Sequence, residues 1–295
     1  MVKTSLISVV MPSYNHGHMI GRAISSVILQ TWQNFEILVI DNHSTDNTEE
    51  VVQAISDPRI HFIKIHNNGV IAASRNLGIK VSKGKWIAFL DSDDWWIPEK
   101  LELSFSEILK GADFVYHDLY IAKKENQSKY RERIHSSSPK NPMFESLLCT
   151  GMSIPNSSVL VNKNILELAG GLCEDPLVVT VEDYDMWIRV AKITERFVRL
   201  PQVMGYYWAG GGNMSAASKK QIDRIEALYS RHIFLLNESN YLRAEGFLKY
   251  RIARLTHLSG DIKAATNLYF SALFSKIDFI YKIKALFFCL KCILK

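Results

Sequence analysis

The sequence lacks an uncharged apolar run of about 18 residues, so it predicts no transmembrane helix. It also shows no signal-peptide pattern, because Met1–Ser5 leads directly into a predicted strand. Cysteines are few and follow neither a zinc-ligand nor a disulfide spacing; they are Cys149, Cys173, Cys289 and Cys292. The last two have the spacing of a redox pair but lie in a terminal apolar stretch, and we interpret them as residues of a helix face. These absences favour a cytoplasmic protein.

Net positive charge is scarce outside the C-terminal end of the chain. The whole chain has a formal net charge of +5, and residues 271–295 alone carry five lysines and one acid. This distribution argues against a broad nucleic-acid-binding surface, so no nucleic-acid partner is expected. Residues 280–295 combine a broad apolar helical face with clustered lysines. That pattern leaves two possibilities open: a helix lying on an anionic membrane surface, or a helix packed on the body of the protein with solvated lysines.

Residues 1–120 alternate between strand patterns and helical periodicity. Strands are predicted over residues 6–11, 35–40, 60–65, 86–90 and 114–117, with helices between them. This alternation predicts an α/β fold with a parallel sheet and helices on both faces. Residues 123–141 are polar and serine-rich, and we interpret them as a mobile loop or hairpin over the site. Short strands and helices are expected over about 145–215, and the chain from Lys219 onward is predicted to be helical.

Three carboxylates follow the fourth predicted strand: Asp91, Asp93 and Asp94. The carboxyl ends of strands in an open α/β sheet face the crevice where ligands bind. Carboxylates this close repel one another unless a cation or hydrogen-bond donors compensate them. Oxygen ligands suit Mg²⁺ or Mn²⁺, which bridge protein carboxylates to substrate phosphates. We therefore interpret the run as a metal–diphosphate site, the alternative being a polar turn before a helix that starts at Pro98.

Three further segments fall at predicted strand ends. Pro12 ends the first strand, and Tyr14 offers a ring on which a flat base can stack. Asp41 can accept a hydrogen bond from the imide N–H of a base, and Arg75, on a following helix, can pair with a phosphate. Each residue alone also fits a turn, but the set indicates a nucleotide site. No Gly-x-Gly-x-x-Gly turn follows the first strand, which disfavours a dinucleotide-dependent oxidoreductase.

Six short motifs occur along the chain in a fixed order. They are Ser8–Asn15, Glu36–Asp41, Arg75–Gly78, Phe89–Asp94, Gly170–Leu172 and Glu182–Arg189. Together they resemble family 2 glycosyltransferases, which are inverting enzymes with a GT-A fold, a Rossmann-like, mostly parallel sheet flanked by helices. The resemblance covers about residues 5–210. We therefore predict a GT-A domain over residues 1–215, with a nucleotide-binding half to about 120 and an acceptor half over 121–215, followed by a helical region over 216–295 that ends in a basic amphipathic helix.

The resemblance implies a role for each matched residue. The nucleotide would be bound by Pro12, Tyr14, Asn15, Asp41, Arg75 and Asp91, and the metal by Asp93 and Asp94. Asp183 would be the general base that deprotonates the acceptor hydroxyl, with Glu182 as the alternative base. Asp185, Trp187 and Arg189 would support the site or shape the acceptor pocket. Without the upstream motifs, Glu182 and Asp183 would be interpreted as an acidic helix start favoured by the helix dipole.

Two positions depart from the family pattern. The second motif continues as Asn42-His43-Ser44, where relatives often have Asp-Gly-Ser, and we interpret His43 as a solvent-facing turn residue. The segment Tyr206–Trp208 lacks the nearby histidine that many relatives place at the metal. Either the metal has fewer protein ligands in this chain or another group completes its coordination shell.

The sequence therefore predicts an inverting glycosyltransferase that depends on Mn²⁺ or Mg²⁺. It would move a sugar from a nucleotide-sugar donor, with UDP as the nucleotide, to a glycan or lipid-linked acceptor in cell-surface polysaccharide synthesis. The expected location is the cytoplasm, with the inner face of the plasma membrane as a possible peripheral site. Two alternatives stay open: a non-catalytic nucleotide-sugar-binding protein, which donor turnover would exclude, and a sugar nucleotidyltransferase, which pyrophosphate release would identify.

Overall fold

The computed structural model describes residues 5–125, 127–138, 140–151, 153–211 and 217–294. Within these ranges the chain divides into two compact units. The first comprises the described parts of Met1–Pro139, Ser153–Glu174 and Ile193–Gly212, and the second those of Lys140–Met152, Asp175–Lys192 and Asn213–Lys295. The domain boundary near residue 215 remains a prediction, because a grouping of contacts does not establish which segment folds by itself.

The first unit is built on one sheet. Its described strands are β1 (Ile7–Ser13), β2 (Phe35–Asp41), β3 (Ile60–Lys64), β4 (Trp86–Phe89), β5 (Trp95–Trp96), β6 (Phe114–Ala122), β7 (Arg133–Ile134), β8 (Leu160–Asn162) and β9 (Phe197–Trp208). Their order across the sheet is β3-β2-β1-β4-β8-β6-β9-β5, with β7 paired to β6. Strands β1 to β4 pair in parallel, as predicted for the nucleotide-binding half. Strands β5, β7 and β8 pair antiparallel with their neighbours, so the rest of the sheet is mixed.

Helices belong to both units. In chain order they are α1 (Gly17–Ile28), α2 (Thr48–Gln53), α3 (Ile71–Val81), α4 (Lys100–Leu109), α5 (Met143–Thr150), α6 (Lys163–Leu168), α7 (Glu182–Val190), α8 (Lys219–His232), α9 (Glu238–Leu258), α10 (Ile262–Leu273) and α11 (Phe279–Ile293). The first unit contains α1 to α4 and α6, and the second contains the others. Short 3₁₀ helices occur at Asn156–Ser158, Pro176–Val178 and Ile233–Leu235.

The central strand β1 is apolar on both faces because helices cover both sides of the sheet. Its Val9 side chain joins a buried cluster with Ile24 of α1 and Phe105 of α4. Val10 points to the opposite face, because successive side chains of a strand alternate, and there it meets α3. Gly78 permits this approach, since a Cβ at that position would lie 2.4 Å from a methyl carbon of Val10. The α/β class with helices on both faces is therefore confirmed.

Three local boundaries differ from the sequence prediction. Strand β1 continues through Pro12 to Ser13, because β4 pairs with β1 only as far as Val10 and the missing N–H of Pro12 breaks no bond of that ladder. Residues Trp95–Trp96, for which no strand is predicted from the sequence, form a strand paired with β9. The next helix begins at Lys100 rather than at Pro98.

All regular secondary structure in the described residues of the second unit is helical. Three tyrosine hydroxyls donate to the last carbonyl groups of α5: Tyr184 to Leu147 at 2.6 Å, Tyr229 to Leu148 at 2.9 Å and Tyr281 to Thr150 at 2.6 Å. The last carbonyls of a helix have no partner within the helix, so these bonds satisfy them and join α7, α8 and α11 to α5.

The predicted helical stretch after Lys219 is confirmed by helices α8 to α11. Helices α9 and α10 form the antiparallel helix pair that the sequence predicts over residues 250–274, with its turn at Gly260-Asp261. Asp261 begins α10 by accepting a hydrogen bond from the backbone N–H of Ala264 at 3.0 Å. Cys289 and Cys292 lie buried on one face of α11, as interpreted. Among the described residues, no helix combines the length and the apolar character needed to cross a bilayer. The sequence also predicts a loop at the glycine run 210–212 and a last helix that extends to Lys295. Gly212 and Lys295 lie outside the described residues.

Candidate active site

The loops that follow β1 and β2 are held together by side chains of the predicted nucleotide site. The Asn15 amide oxygen accepts the N–H of Thr45 at 2.8 Å, and the Asn15 N–H donates to the Ser44 hydroxyl at 2.8 Å. The buried carboxylate of Asp41 accepts the Ser44 N–H at 2.8 Å and the Ser44 hydroxyl at 2.5 Å. Asn15 and Asp41 therefore shape the strand ends, and their contact with a nucleotide stays a prediction.

Tyr14 is the exposed aromatic residue of this edge. Its side chain is 54% accessible to solvent, whereas Pro12, two residues earlier, is buried within β1. Asn15 follows with a φ of 52°, the left-handed conformation that asparagine tolerates. The chain thus turns sharply after Tyr14 and leaves an apolar ring in solvent at the carboxyl end of the sheet. A ring in this place can stack on a planar base.

Arg75 is paired with Asp91. Its Nη2 lies 2.8 Å from Asp91 Oδ1, and the guanidinium is only 4% exposed. Asn156 Nδ2 approaches the same carboxylate oxygen at 3.4 Å, and the Asp91 N–H donates to the Ser157 hydroxyl at 3.1 Å. These contacts fix Asp91 at the end of β4. The family resemblance implied that Arg75 would lie near the diphosphate or base and that Asp91 would approach the ribose or sugar. The structure pairs the two side chains, and both roles stay predictions.

Asp93 and Asp94 differ although they are adjacent. Asp94 is 1% exposed, and its Oδ1 accepts the backbone N–H of Trp208 at 2.8 Å. Burial and the charges of Asp93 and Asp91 raise the pKa of Asp94 well above its usual value. Asp93 is partly buried, and burial together with the charge of Asp91 raises its pKa to about 7. The charges of two arginines offset only part of this increase.

The residues present fit a divalent cation that is shared with a substrate. Among the described residues, no three His, Cys, Asp or Glu side chains are arranged to hold a metal ion by themselves. Mg²⁺ is typically held by one or two carboxylates together with substrate phosphates, so a complete protein cage is not required. The raised pKa of Asp93 indicates a carboxylate whose charge is incompletely compensated, and a cation would relieve it. Asp93 is the first candidate ligand; Asp94 stays a predicted ligand, with one oxygen already bonded to the Trp208 N–H.

Sequence reasoning missed Arg22 of α1. Its Nη2 donates to the backbone carbonyl of Asp93 at 3.0 Å, and its guanidinium lies 3.6 Å above the ring of Trp95. The ring of Trp95 is also stacked on Tyr206 of β9, with 4.9 Å between the two ring centroids. The arginine thus fixes the backbone of the carboxylate run. No local pattern marks it, because Arg22 and Asp93 are 71 residues apart.

Asn76 connects two of the sequence motifs. Its Oδ1 accepts the N–H of Leu172 at 2.8 Å, and its Nδ2 donates to the Leu172 carbonyl at 2.9 Å and to Glu174 at 2.7 Å. Gly171, with a φ of 72°, allows the close approach, since a Cβ there would lie 2.9 Å from Asn76 Oδ1. The asparagine next to Arg75 therefore holds the glycine motif in place.

The predicted acceptor-side residues lie on α7 in the second unit. Glu182 and Asp183 occupy its first turn; Glu182 is buried, whereas Asp183 is partly exposed and its Oδ1 accepts the N–H of Tyr184 at 2.7 Å. A carboxylate at a helix N-terminus is stabilised in its ionised form, which a general base requires. The described geometry favours Asp183 over Glu182 as the group that an acceptor can reach, and the assignment stays a prediction.

Asp185 and Arg189 form a buried network on the same helix. Asp185 accepts hydrogen bonds from Arg189 Nε at 2.8 Å and faces His232 Nε2 at 2.7 Å. Burial would raise the pKa of Asp185, but the hydrogen bond with His232 and the charge of Arg189 outweigh it and lower the pKa. Trp187 is fully buried in the same unit. These contacts support the helix that carries Asp183, and the roles predicted for Asp185, Trp187 and Arg189 at the site stay predictions.

Comparison with known proteins adds a family and several relatives. The model of Glycosyl transferase family 2 matches residues 8–165, more than half of the chain. The UDP-Glc:alpha-D-GlcNAc-diphosphoundecaprenol beta-1,3-glucosyltransferase WfgD of Escherichia coli is 46% identical over 112 residues, which are 38% of this chain and 44% of that protein. The chain thus spans less than half the length of this relative. WfaP of Escherichia coli, which has the same enzyme name, is 29% identical over 221 residues, covering 74% of this chain and 83% of that protein.

A solved structure shares the fold. The crystal structure of Staphylococcus aureus TarS 1–349 in complex with UDP has a TM-score of 0.61 and 19% sequence identity. The match covers 97% of this chain and 80% of that one. At this identity the likeness supports the fold alone, and it confirms the predicted mixed α/β architecture with additional C-terminal helices.

Proposed function

Because the chain belongs to glycosyl transferase family 2, we propose that it is a metal-dependent, inverting glycosyltransferase of surface-polysaccharide synthesis. The proposed donor is a UDP-sugar, with UDP-glucose first, and the proposed acceptor is a lipid-linked sugar diphosphate. Two relatives named as glucosyltransferases acting on GlcNAc-diphosphoundecaprenol support this choice. Because WfgD matches over less than half of its own length and WfaP is only 29% identical, the donor and the acceptor of this chain are stated as proposals.

On the donor side, the first unit supplies groups for each part of a nucleoside diphosphate. The exposed ring of Tyr14 would stack on the uracil base. Asp91, held by Arg75 at 2.8 Å, would accept hydrogen bonds from ribose or sugar hydroxyls. Asp93 would hold the divalent cation together with the donor's phosphates. When bound, Mn²⁺ or Mg²⁺ supplies positive charge that stabilises the departing UDP.

On the acceptor side, Asp183 would remove the proton of the acceptor hydroxyl. The freed oxygen attacks the anomeric carbon of the donor sugar while the bond from that carbon to the phosphate oxygen breaks, and the electron pair leaves with UDP. Attack from the face opposite to the leaving group inverts the configuration. The N-terminus of α7 favours the ionised carboxylate that this step needs.

The single observation that carries the proposal is the Asp93 carboxylate. It lies at the end of a parallel sheet beside a fixed Arg75–Asp91 pair, and its pKa is raised to about 7 by burial and by Asp91. A structural carboxylate in such surroundings would be expected to have a cationic partner. A cation that binds together with a diphosphate would explain why Asp93 is held next to Asp91. A polar turn would not require two carboxylates to lie so close together.

Calorimetric titration tests the donor site. We expect the wild-type protein to bind UDP in the presence of Mn²⁺ and to bind it more weakly after chelation. Asp93→Ala should lose this metal dependence, while Asp223→Ala, which removes an exposed carboxylate of α8, should retain it. Failure of the wild type to bind UDP with or without metal would exclude the uridine donor, and failure with GDP and dTDP as well would contradict the transferase proposal.

Turnover separates this proposal from its rivals. With UDP-glucose and a short-chain lipid diphosphate bearing α-GlcNAc, we expect release of UDP and a disaccharide with the inverted linkage. UDP binding without any product from a panel of UDP-sugars and acceptors would favour a non-catalytic binding protein. Release of pyrophosphate from UTP and a sugar 1-phosphate would identify a nucleotidyltransferase instead.

A further inference from the structure

Helix α11 is already packed through one of its faces. Ala285, Cys289 and Cys292 are buried, and the Tyr281 hydroxyl donates to the Thr150 carbonyl at 2.6 Å. These four positions recur at spacings of three and four residues, so they line one side of the helix. The side that docks α11 within the second unit therefore contains small residues, one tyrosine and Phe288, whose ring stacks on Tyr269 with 5.9 Å between the ring centroids.

The opposite side of α11 carries most of its large apolar residues. Eight of them are between 49% and 85% exposed: Phe279, Ile280, Ile283, Leu286, Phe287, Leu290, Ile293 and Leu294. We call this set the outer apolar face of α11. A contiguous exposed surface of large apolar side chains is unusual on a protein without a partner and marks an interaction site. The sequence left open whether the broad apolar face packs inward, and the structure places it outward.

Lysines border the outer apolar face. Lys284 and Lys291 lie along one edge and Lys282 along the other, and α11 contains no acidic residue. Within the described part of the chain, no carboxylate lies within 4.0 Å of the ammonium group of any of these three lysines. Asp278, which precedes the helix, is paired with Arg243 at 2.8 Å. The border is therefore strongly positive, and its charge is not neutralised by neighbouring acids.

This charge pattern decides between occupants. In a symmetric dimer through this face, the same patch would meet itself and bring lysine edges of like charge together. An anionic lipid surface offers hydrocarbon to the apolar side chains and phosphate groups to the lysines. Helices with an apolar face and lysine edges lie in the interface of such membranes, and each lysine adds to the attraction.

We propose that the outer apolar face of α11 and its bordering lysines bind an anionic phospholipid surface, with the helix lying parallel to the membrane. Phe274 and Phe279, which are 78% and 76% exposed at the two sides of the turn between α10 and α11, extend the apolar contact. The benefit for catalysis rests on the proposed function, since lipid-linked acceptors are held at that surface. The lipid contact itself does not depend on the proposed function.

Vesicle sedimentation with the full chain tests this contact. We expect the protein to sediment with phosphatidylglycerol-containing vesicles, to bind pure phosphatidylcholine vesicles at least about tenfold more weakly, and to be released by salt. The double variant Phe287→Asp/Leu290→Asp should bind anionic vesicles at least about tenfold more weakly, because two buried apolar contacts are lost. Leu168→Asp, at an exposed leucine of α6, is the matched control and should bind like the wild type.

Three outcomes would overturn the proposal. They are no sedimentation of the wild type with anionic vesicles, equal sedimentation of the double variant and the wild type, and a concentration-dependent dimer that the double variant abolishes. Unchanged circular dichroism and melting temperature show that the double variant is folded; if it unfolds, Lys284→Glu/Lys291→Glu replaces it and should weaken anionic binding by about tenfold. UDP binding and transfer to a water-soluble acceptor, measured in parallel, should be unchanged. If the wild-type protein bound vesicles but showed neither UDP binding nor sugar transfer, the transferase proposal would be refuted and the lipid contact would not.

Discussion

Two aspartate side chains, one in each unit, differ in whether neighbouring groups stabilise their negative charge. In the second unit, Asp185 contacts Arg189 and His232, and its pKa is lowered although the group is buried. In the first unit, burial and Asp91 raise the pKa of Asp93 to about 7, and Arg22 and Arg75 offset only part of that increase. The same type of side chain therefore has a lowered pKa in one unit and a raised pKa in the other.

The difference separates a structural carboxylate from a binding carboxylate. A buried carboxylate that is paired with an arginine and hydrogen-bonded to a histidine is stable as it stands, so the network around Asp185 needs nothing further. The ionised form of a carboxylate that lies next to another carboxylate is destabilised in the metal-free protein, and a bound cation would stabilise it. Substitution should therefore affect the two groups in opposite directions, and the predictions below test this from the largest expected effect to the smallest.

The largest effect is expected at Asp183, which shares α7 with Asp185 and tests whether this helix carries chemistry as well as structure. Asp183→Asn should lower kcat by about 10² to 10⁴-fold, because the general base is lost, with UDP affinity unchanged. Steady-state rates of UDP release and calorimetry provide the two measurements. If Asp183→Asn keeps the wild-type rate while Glu182→Gln loses it, the base is Glu182.

The next effect is a loss of stability at Asp185. Asp185→Asn should lower the free energy of unfolding by about 2 to 3 kcal/mol, because the charge of Arg189 and the ring nitrogen of His232 lose their carboxylate partner. The measurement is the midpoint of thermal or urea unfolding. Asp223→Asn, which removes an exposed partner of Lys219, is the control and should change stability by less than about 0.5 kcal/mol. Equal effects of the two substitutions would show that the buried network does not stabilise α7.

A smaller effect of opposite sign is expected at Asp93 in metal-free protein. The pKa of Asp93 is raised from 3.8 to about 7 in the folded state, so its contribution to stability is complete below pH 3.8 and is lost as the pH rises through 7. Asp93→Asn removes this loss and should stabilise the protein at pH 8 by up to about 2 kcal/mol, with no difference near pH 3.5. Thermal unfolding with a chelator at both pH values checks it.

The comparison between the two carboxylate groups would fail if Asp93→Asn destabilised the metal-free protein at pH 8. Added Mn²⁺ and UDP supply a second check, because they should stabilise the wild type and leave Asp93→Asn unaffected. A variant that is stabilised by the nucleotide as strongly as the wild type would remove Asp93 from the proposed metal site.

Local sequence patterns were sufficient to predict the parallel strands of the sheet and the residues that lie at the carboxyl ends of these strands. Tyr14, Asp41 and Asp91 each follow an apolar strand pattern, and parallel strands bring their carboxyl ends to one edge, so their common location could be predicted. The helical nature of α11 and the existence of its broad apolar face were predictable for the same reason, since both depend on spacing within a few turns.

Contacts between distant segments could not be predicted in this way. Asp94 and the N–H of Trp208 are 114 residues apart, and nothing in either segment specifies the other. Likewise, Trp95 and Trp96 form a strand because they pair with β9, and no local pattern at these residues predicted a strand. The orientation of α11 has the same origin, because a helical period identifies an apolar face without saying whether it packs inward or faces outward.

The smallest expected effect concerns the exposed part of the first unit. Tyr14→Ala should weaken UDP binding by about fivefold, or about 1 kcal/mol, because one half-exposed ring stacks on one base. Tyr14→Phe keeps the ring and should bind UDP like the wild type, and the unfolding midpoint should move little in either variant since the side chain lies largely in solvent. Calorimetry with UDP and with diphosphate alone separates the contribution of the base from that of the phosphates. In Tyr14→Ala, only the binding of UDP should weaken. An equal loss for both ligands would mean that Tyr14 shapes the phosphate side of the site and that the base is held elsewhere.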